Sequence, residues 1–395
     1  MKVFIITTSS FPYGMADTNR IKCYAKAIIE QNVDCEVVVY KRNSGFSNTI
    51  PFDVYEGIPY RYVGGDCVRH KGSVKSRLND ITDRINLYLY IKKNILEGDV
   101  VFCYGSLYSS ILIKMVHRKG GVFVENLTEY PFLFAEKSIF RRFYKRLVLN
   151  KLFPCFDGVV VISDELKKYA GKFVNPDCRF IKLPILVEYS KYILEDTSSS
   201  QVTKYIFHAG SLLESKDGIL GMLSAFGIAK KESKNSFKFI CTGTIDKSPH
   251  AQSIREIIAH YGIENDVIFT GFLSDEEYHN YLQGASLVII NKYNTLQNKY
   301  CFSTKLSEYM AAGKPIIITK VGEAMNWVTD NKDVLIVNPE DTHKLAAAIN
   351  KMFEDNELRE KLGKAARETC KNSFDYKVHS LALVQFFKSC SNAEA

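Results

Sequence analysis

Several signatures are missing from this chain, and each absence removes a class of function. Ten cysteines occur among 395 residues, yet none forms a C-x-x-C pair and none clusters with histidine at zinc spacing, which argues against zinc modules and thioredoxin-like redox chemistry. A chain of this length does not need disulfide staples, so the cysteines are expected to be reduced core residues of a cytosolic protein. No run reaches the roughly 18 to 20 apolar residues that cross a bilayer, so any membrane contact is expected to be peripheral. The opening Met1-Lys2-Val3-Phe4-Ile5-Ile6-Thr7-Thr8 has an apolar run shorter than a signal-peptide core, with Pro12 and Gly14 close behind, and reads as a first strand. No D-x-D pair and no metal-ligand cluster is present, and the first strand lacks a G-x-G-x-x-G dinucleotide fingerprint. No recognition helix or RNA-binding signature occurs either. The formal net charge of +8, with both signs spread along the chain, favours anionic small molecules or a membrane surface over a nucleic-acid groove.

What is present is alternation. Short β-rich runs at Val3–Thr7, Cys35–Tyr40, Val100–Tyr104, Gly121–Glu125 and Gly158–Ile162 are separated by amphipathic stretches near Asn19–Gln31, Val74–Ile95, Ser106–Lys119 and Ser138–Phe153. Arg61–Val63 reads as an additional strand after a turn at Gly57-Ile58-Pro59. The serine-rich stretch Glu195–Ser200 interrupts the pattern and Tyr205–Gly210 restarts it, with further strands at Lys238–Thr242, Val267–Thr270, Leu287–Asn291, Pro315–Thr319 and Val334–Val337. Strands alternating with helices imply parallel, doubly wound sheets. The expectation is an α/β chain of two Rossmann-like domains, residues 1–190 and 201–375, with the ligand in a cleft between them and an amphipathic segment at 376–395 packing back on the first domain.

The segment Lys305–Thr319 reads as a helix, a glycine stop and a buried strand. Ser303 or Thr304 can cap the helix, leaving N–H groups for a phosphate at the positive end of its dipole. Glu308, four residues after Thr304, faces the same way and suits ribose hydroxyls. The competing account is an exposed helix in which Glu308 pairs with Lys305. The loop Gly210-Ser211-Leu212-Leu213-Glu214-Ser215-Lys216 offers Lys216 to a diphosphate, or simply to solvent. Both segments follow strands of one sheet and so share its edge. The first-domain loop through Pro12 and Gly14 can approach a ligand with its backbone, since glycine permits conformations closed to other residues. Glu129, after the strand ending at Glu125, can act as acid, base or acceptor-positioning group, or be a solvated carboxylate beside Tyr130-Pro131. In Ile139–Phe153 cations and aromatics alternate at helical spacing, fitting either an anionic membrane surface or a surface helix with its apolar stripe on the core.

In order and spacing these pieces resemble the retaining, nucleotide-sugar-dependent glycosyltransferases of GT-B fold, called glycosyltransferase family 4 or the glycogen-synthase-like group. The resemblance is strongest from Phe207 to about Cys370. It rests on Val159–Ser163, Gly210–Lys216, Gly243, the Phe269–Leu273 turn, Lys305–Ile317, Val321-Gly322-Glu323 and Asn338–Asp341. By position it implies that Glu308 binds ribose and Lys216 contacts the donor diphosphate. It likewise implies that the amides of Phe302, Ser303 and Thr304 hold the distal phosphate, that Gly14 closes over the donor, and that Leu273 meets the base. Three positions depart from the family pattern. Tyr300 stands where the first glutamate of the paired-glutamate motif falls, Ser211 where many relatives carry arginine, and Thr128-Glu129 where many have a histidine.

The resemblance therefore implies a cytosolic enzyme that moves a hexose from a UDP- or GDP-sugar to a hydroxyl of a glycan or lipid-linked acceptor, with retention of configuration, in bacterial surface polysaccharide synthesis. Glu129 and Lys216 are its expected catalytic residues. Gly14, Gly210, Ser211, Lys216, Gly243, Leu273, Phe302, Ser303, Thr304 and Glu308 form the expected donor set. No metal and no cofactor beyond the nucleotide sugar is expected, no nucleic acid is a partner, and contact with an anionic membrane is expected on the inner face of the plasma membrane. Two alternatives share the architecture: a sugar-nucleotide epimerase, and a non-catalytic nucleotide-sugar-binding or scaffold protein.

Overall fold

The computed structural model describes residues 1–43, 48–69, 73–104, 109–132, 138–193 and 204–391. The chain divides into two α/β units, Met1–Val187 with Asp375–Ala395, and Glu188–Phe374. The serine-rich stretch at 195–200 and the expected helix start at Ser106 lie outside the described residues.

In the first unit the elements run β1 (Lys2–Thr7), α1 (Ala16–Ile29), β2 (Asp34–Val39), β3 (Phe52–Tyr55), β4 (Ile58–Tyr62), α2 (Ser73–Asn94), β5 (Val100–Cys103), α3 (Ser109–Arg118), β6 (Val122–Leu127), α4 (Ile139–Leu147), β7 (Gly158–Val161), α5 (Asp164–Ala170) and β8 (Arg179–Lys182). The sheet order is β3-β4-β2-β1-β5-β6-β7-β8, parallel except where β3 runs against β4. Its central strands are short apolar runs with almost no exposure, such as Val3-Phe4-Ile5 and Val100-Val101-Phe102, because helices cover both faces of a parallel sheet. The segment α14 (Tyr376–Ser391) belongs to this unit: it packs on α1, and its Leu383 and Phe387 enter the first core.

Two local expectations are corrected. The turn before β4 lies at Glu56-Gly57, both at positive φ (49° and 79°), the geometry of a tight hairpin. Pro59 is inside the strand, ahead of the residues that pair with β2, so its missing N–H removes no bond from that ladder. The continuous helix expected over 138–153 instead ends at Leu147, and a π-helical turn over Val148–Leu152 and a 3-10 turn over Phe153–Cys155 follow. α4 buries none of its side chains, whereas Val148, Leu149, Leu152 and Phe153 are buried. The change of winding re-aims the apolar residues toward the core.

The second unit runs β9 (Lys204–His208), α6 (Glu214–Asp217), α7 (Ile219–Glu232), β10 (Phe237–Cys241), α8 (Ala251–Tyr261), β11 (Val267–Phe269), α9 (Asp275–Gly284), β12 (Leu287–Ile290), α10 (Leu296–Tyr300), α11 (Thr304–Ala311), β13 (Ile316–Thr319), β14 (Leu335–Val337), α12 (Thr342–Glu354) and α13 (Asn356–Ser373), and its parallel sheet has the order β11-β10-β9-β12-β13-β14. In its core Phe237 stacks on Phe353 with centroids 4.0 Å apart. Each sheet reverses its winding once, between β1 and β5 and between β9 and β12. Such switch points are where open α/β sheets place ligands, outside the carboxyl ends of the strands. All ten cysteines are free thiols. Among the described residues no helix is long and apolar enough to cross a membrane.

Candidate functional site

The loop leaving β9 at the second switch point is held in one shape by short bonds. The Ala209 amide donates to the Tyr309 hydroxyl (3.0 Å) and the Gly210 amide to Thr242 Oγ1 (2.9 Å), tying the loop to α11 and to the end of β10. The amide and hydroxyl of Ser211 both donate to Asp217 Oδ2, at 2.9 and 2.8 Å. Both Ser211 donors are thus engaged within the loop, and Ser211 does not present them to a diphosphate. A Cβ on Gly210 would lie 2.4 Å from His208 Nε2 and 2.9 Å from Asp217 Oδ2, so a larger residue has no room there.

Asp217 is buried and paired with Lys305 of α11. Burial alone would raise its pKa, but the Lys305 ammonium, with the Ser211 amide, outweighs burial and holds it well below the usual carboxylate range. Burial, and then Lys305, push His208 down to about 4. Its imidazole is therefore neutral near pH 7. His208 Nδ1 lies 3.3 Å from the Ile289 carbonyl, which can only accept, so Nδ1 carries the proton. Its Nε2 is then a buried acceptor with no hydrogen-bond partner among the described residues.

Three lysines converge on this loop. Lys216 is exposed on α6. Lys292, just past β12, donates from Nζ to the Lys216 carbonyl (3.2 Å) and to Asn298 Oδ1 (3.4 Å). Burial lowers its pKa, and the positive charges of Lys305 and Lys216 add to that effect against the opposing Cys301 and Asp217. Lys305 completes the group. Asp217 is the carboxylate paired within this cluster, and so much positive charge at a sheet edge favours a multiply charged anion.

α11 adds main-chain dipoles. Its N-cap Ser303 makes no side-chain capping bond; the Leu306 N–H turns to the Ser303 carbonyl at 3.1 Å, and the Ser303 hydroxyl does not compete with an anion for the other first-turn amides. Phe302 is 2% exposed and packs edge-on against Phe374, so its contribution is limited to its backbone. One turn along, Glu308 Oε2 accepts from Tyr278 of α9 at 2.6 Å, while Lys305 turns to Asp217. Gly243, at φ +98°, forms an isolated bridge with Gly271 and adjoins Leu212 of the β9 loop. Leu273 follows that bridge, immediately before the capping box that starts α9 at Ser274. Tyr300 ends α10, three residues ahead of Ser303.

The structure thus gathers Gly210, Ser211, Lys216, Gly243, Ser303, Thr304 and Glu308 at one edge of the second sheet. Gly14 and Glu129 belong to the first unit. Gly14 is required for space, since a Cβ would meet Thr18 Oγ1 at 2.0 Å, and its φ is not in the left-handed region; backbone freedom is not what selects glycine there. Glu129 is exposed just beyond β6. His208, Asp217, Lys292 and Lys305 were not singled out from sequence. Two clues were available: polar residues ending or directly following buried strands, and a lysine in the first turn of a helix that was expected to receive an anion.

Residues 194–369, just under half the chain, match the family model described as glycosyl transferases group 1. The lipopolysaccharide core biosynthesis glycosyltransferase LpsD of Rhizobium meliloti is 27% identical over 173 residues, 44% of this chain and 46% of that protein. An uncharacterized glycosyltransferase, MJ1069 of Methanocaldococcus jannaschii, is 23% identical over 67% of this chain and 65% of its own. The chain spans about half to just under two thirds of the length of these curated relatives. Among solved structures, sucrose-phosphate synthase from Thermosynechococcus elongatus superposes with a TM-score of 0.74 at 15% identity, covering 97% of both chains. Anabaena Alr3699/HepE in complex with UDP gives 0.69 at 16% identity, covering 98% of this chain and 99% of that one. At such identities the likeness speaks to fold, which is GT-B: two Rossmann-like α/β domains.

Proposed function

We propose that this protein is a metal-independent glycosyltransferase that moves a hexose from a nucleoside diphosphate sugar, UDP- or GDP-linked, to a hydroxyl of a glycan or lipid-linked acceptor in polysaccharide synthesis. The observation that carries this is the group of Lys216, Lys292 and Lys305 beside the uncapped start of α11, in a domain that matches the glycosyl transferases group 1 model. Solved neighbours holding UDP and UDP-glucose support the donor class, and a relative named for lipopolysaccharide core biosynthesis supports the acceptor class.

In this reading the donor diphosphate lies on the α11 N-terminus and Lys216, and Glu308 accepts from ribose hydroxyls. Charge building on the departing phosphate is met by lysines and main-chain dipoles that are already in place. Glu129 orients the acceptor hydroxyl. The acceptor oxygen bonds to the anomeric carbon as the bond to the diphosphate breaks, and the leaving phosphate oxygen takes the acceptor proton on the same face, retaining configuration. The cationic, aromatic α4 rests on an anionic membrane and brings the protein to its acceptor.

The test is a thermal-shift screen of nucleoside diphosphates. UDP or GDP is expected to raise the melting temperature, and Glu308→Ala and Lys216→Ala to reduce that rise. A rise unchanged in both variants would remove this site. Product formation with labelled donor, and the anomeric configuration by NMR, test transfer and its stereochemistry.

A further inference from the structure

The first sheet has a switch point of its own, between β1 and β5, and a cavity of about 470 Å³ opens there, a size typical of small-molecule pockets. Ile6 of β1, Tyr40 just after β2 and Cys103 ending β5 line it from the sheet, and Ile85 and Tyr88 of α2 with Leu112 of α3 line it from the helices. Burial pushes the Tyr40 phenol up to about 12 and raises the Cys103 thiol as well, so neither brings a negative charge into the space. Among the described residues, the charged side chain in the lining is Arg84.

The surface around this cavity is equally apolar. On α2, Leu78, Ile81, Ile85 and Leu89 recur at helical spacing, each more than half exposed, and Ile111 of α3 is 65% exposed. Soluble surfaces rarely leave such patches without a partner. α4 belongs to the same region, because its Tyr144 lies close enough to Tyr40 and Tyr104 to add, after burial, to the upward push on both phenols. It exposes Phe140 and Phe143 to solvent and carries Arg141, Arg142, Lys145 and Arg146 with no acidic residue. Glu125 and Glu129 also act on Tyr104, after burial, which places the end of β6 and Glu129 near the cavity.

We propose that this cavity takes the hydrocarbon chain of an anionic lipid drawn from the bilayer on which α4 lies. This rests on the lipid-linked acceptor in the function proposed above and names the part of the acceptor that the first domain grips. Extended peptide or bare sugar fits the space poorly, since Arg84, Ser109 and the tyrosine hydroxyls can meet only some of its amides or hydroxyls and the rest of the wall is apolar. A hydrocarbon chain has no such groups, and the arginines and lysine of α4 match an anionic headgroup.

The full chain is titrated calorimetrically with hexyl, octyl and decyl phosphate below their micelle concentrations. Affinity is expected to tighten about fourfold per methylene, or about 200-fold from hexyl to decyl, with a negative heat-capacity change. Ile85→Glu and Ile81→Glu alter exposed positions, so the fold, followed by circular dichroism, is expected to persist while the chain-length dependence flattens. Binding that ignores chain length in the wild type, or an equal dependence in both variants, overturns the proposal. Sedimentation with phosphatidylglycerol vesicles but not with phosphatidylcholine vesicles is expected, and failure to bind either would also overturn it. A chain-length dependence without a melting shift from either UDP or GDP supports the cavity and removes the nucleotide reading; a shift from either nucleotide without that dependence does the reverse.

Discussion

The two switch points have the same topology and opposite chemistry. At β9/β12 the sheet edge gathers three lysines, a buried aspartate, a neutral histidine and an uncapped helix start. At β1/β5 the corresponding edge is a cavity walled mostly by isoleucine, leucine, tyrosine and cysteine, with Arg84 and Ser109 among them. Winding decides where a ligand can sit, and the residues carried by the loops and helices decide what kind. The second site is rigid because its charges hold one another in place. The first is apolar and leaves exposed side chains around its rim.

That contrast is most severely tested at Asp217. Asp217→Ala leaves the Lys305 ammonium, half-buried beside His208, without its carboxylate, and loss of one partner from a buried ion pair is expected to cost about 3–5 kcal/mol. Chemical denaturation measures it; a loss under 1 kcal/mol would show that the cluster does not hold the loop. His208 supplies the next largest effect. Its folded pKa of about 4 lies below the ordinary 6.5, so between those values the unfolded chain binds the extra proton and stability rises with pH. That stability is present above pH 6.5 and drains as pH falls toward 4, a difference on the order of 3 kcal/mol. Subtracting the profile of His208→Asn from that of the wild type isolates this contribution, and a flat difference would mean that His208 titrates normally.

The two regions also differ in how far the sequence disclosed them. The contiguous parts of the polar site were legible: Gly210–Lys216 and Ser303–Glu308 carry glycine, cation, cap and carboxylate at spacings with direct physical meaning. Asp217 and Lys305 are 88 positions apart, and nothing local marks them as partners. Ser211 and Asp217 are only six positions apart, but the buried ion pair that fixes Asp217 is the distant one, and the donors of Ser211 turn to that carboxylate. The apolar cavity was not legible at all. Ile6, Tyr40, Ile85, Cys103 and Leu112 come from five separate segments, and each is an ordinary strand or helix residue until the winding brings them together. α4 lies between these cases, since its composition was evident while the π-helical turn that ends it reflects which apolar residues the core accepts.

Smaller effects separate binding from folding. Lys292→Ala removes one cation from the polar edge and is expected to weaken UDP about tenfold, near 1.4 kcal/mol. Raising the salt concentration is expected to narrow the gap between wild type and variant. The decyl phosphate affinity of the same variant is expected to stay where it is; parallel losses for both ligands would mean the two edges are not independent.

The smallest expected change in stability is at Phe140. Its side chain is 83% exposed, so folding removes little of it from water, and Phe140→Ser is expected to move the unfolding free energy by no more than about 0.5 kcal/mol. On an anionic bilayer the same ring passes into the headgroup and acyl boundary, and its loss is expected to weaken vesicle binding severalfold. A polar change in the anion site, such as Asp217→Ala, acts first on stability; this apolar change acts only when lipid is present. If Phe140→Ser lowers stability by more than 1 kcal/mol without lipid, the ring belongs to the protein's own packing and α4 is not a face held open for a membrane.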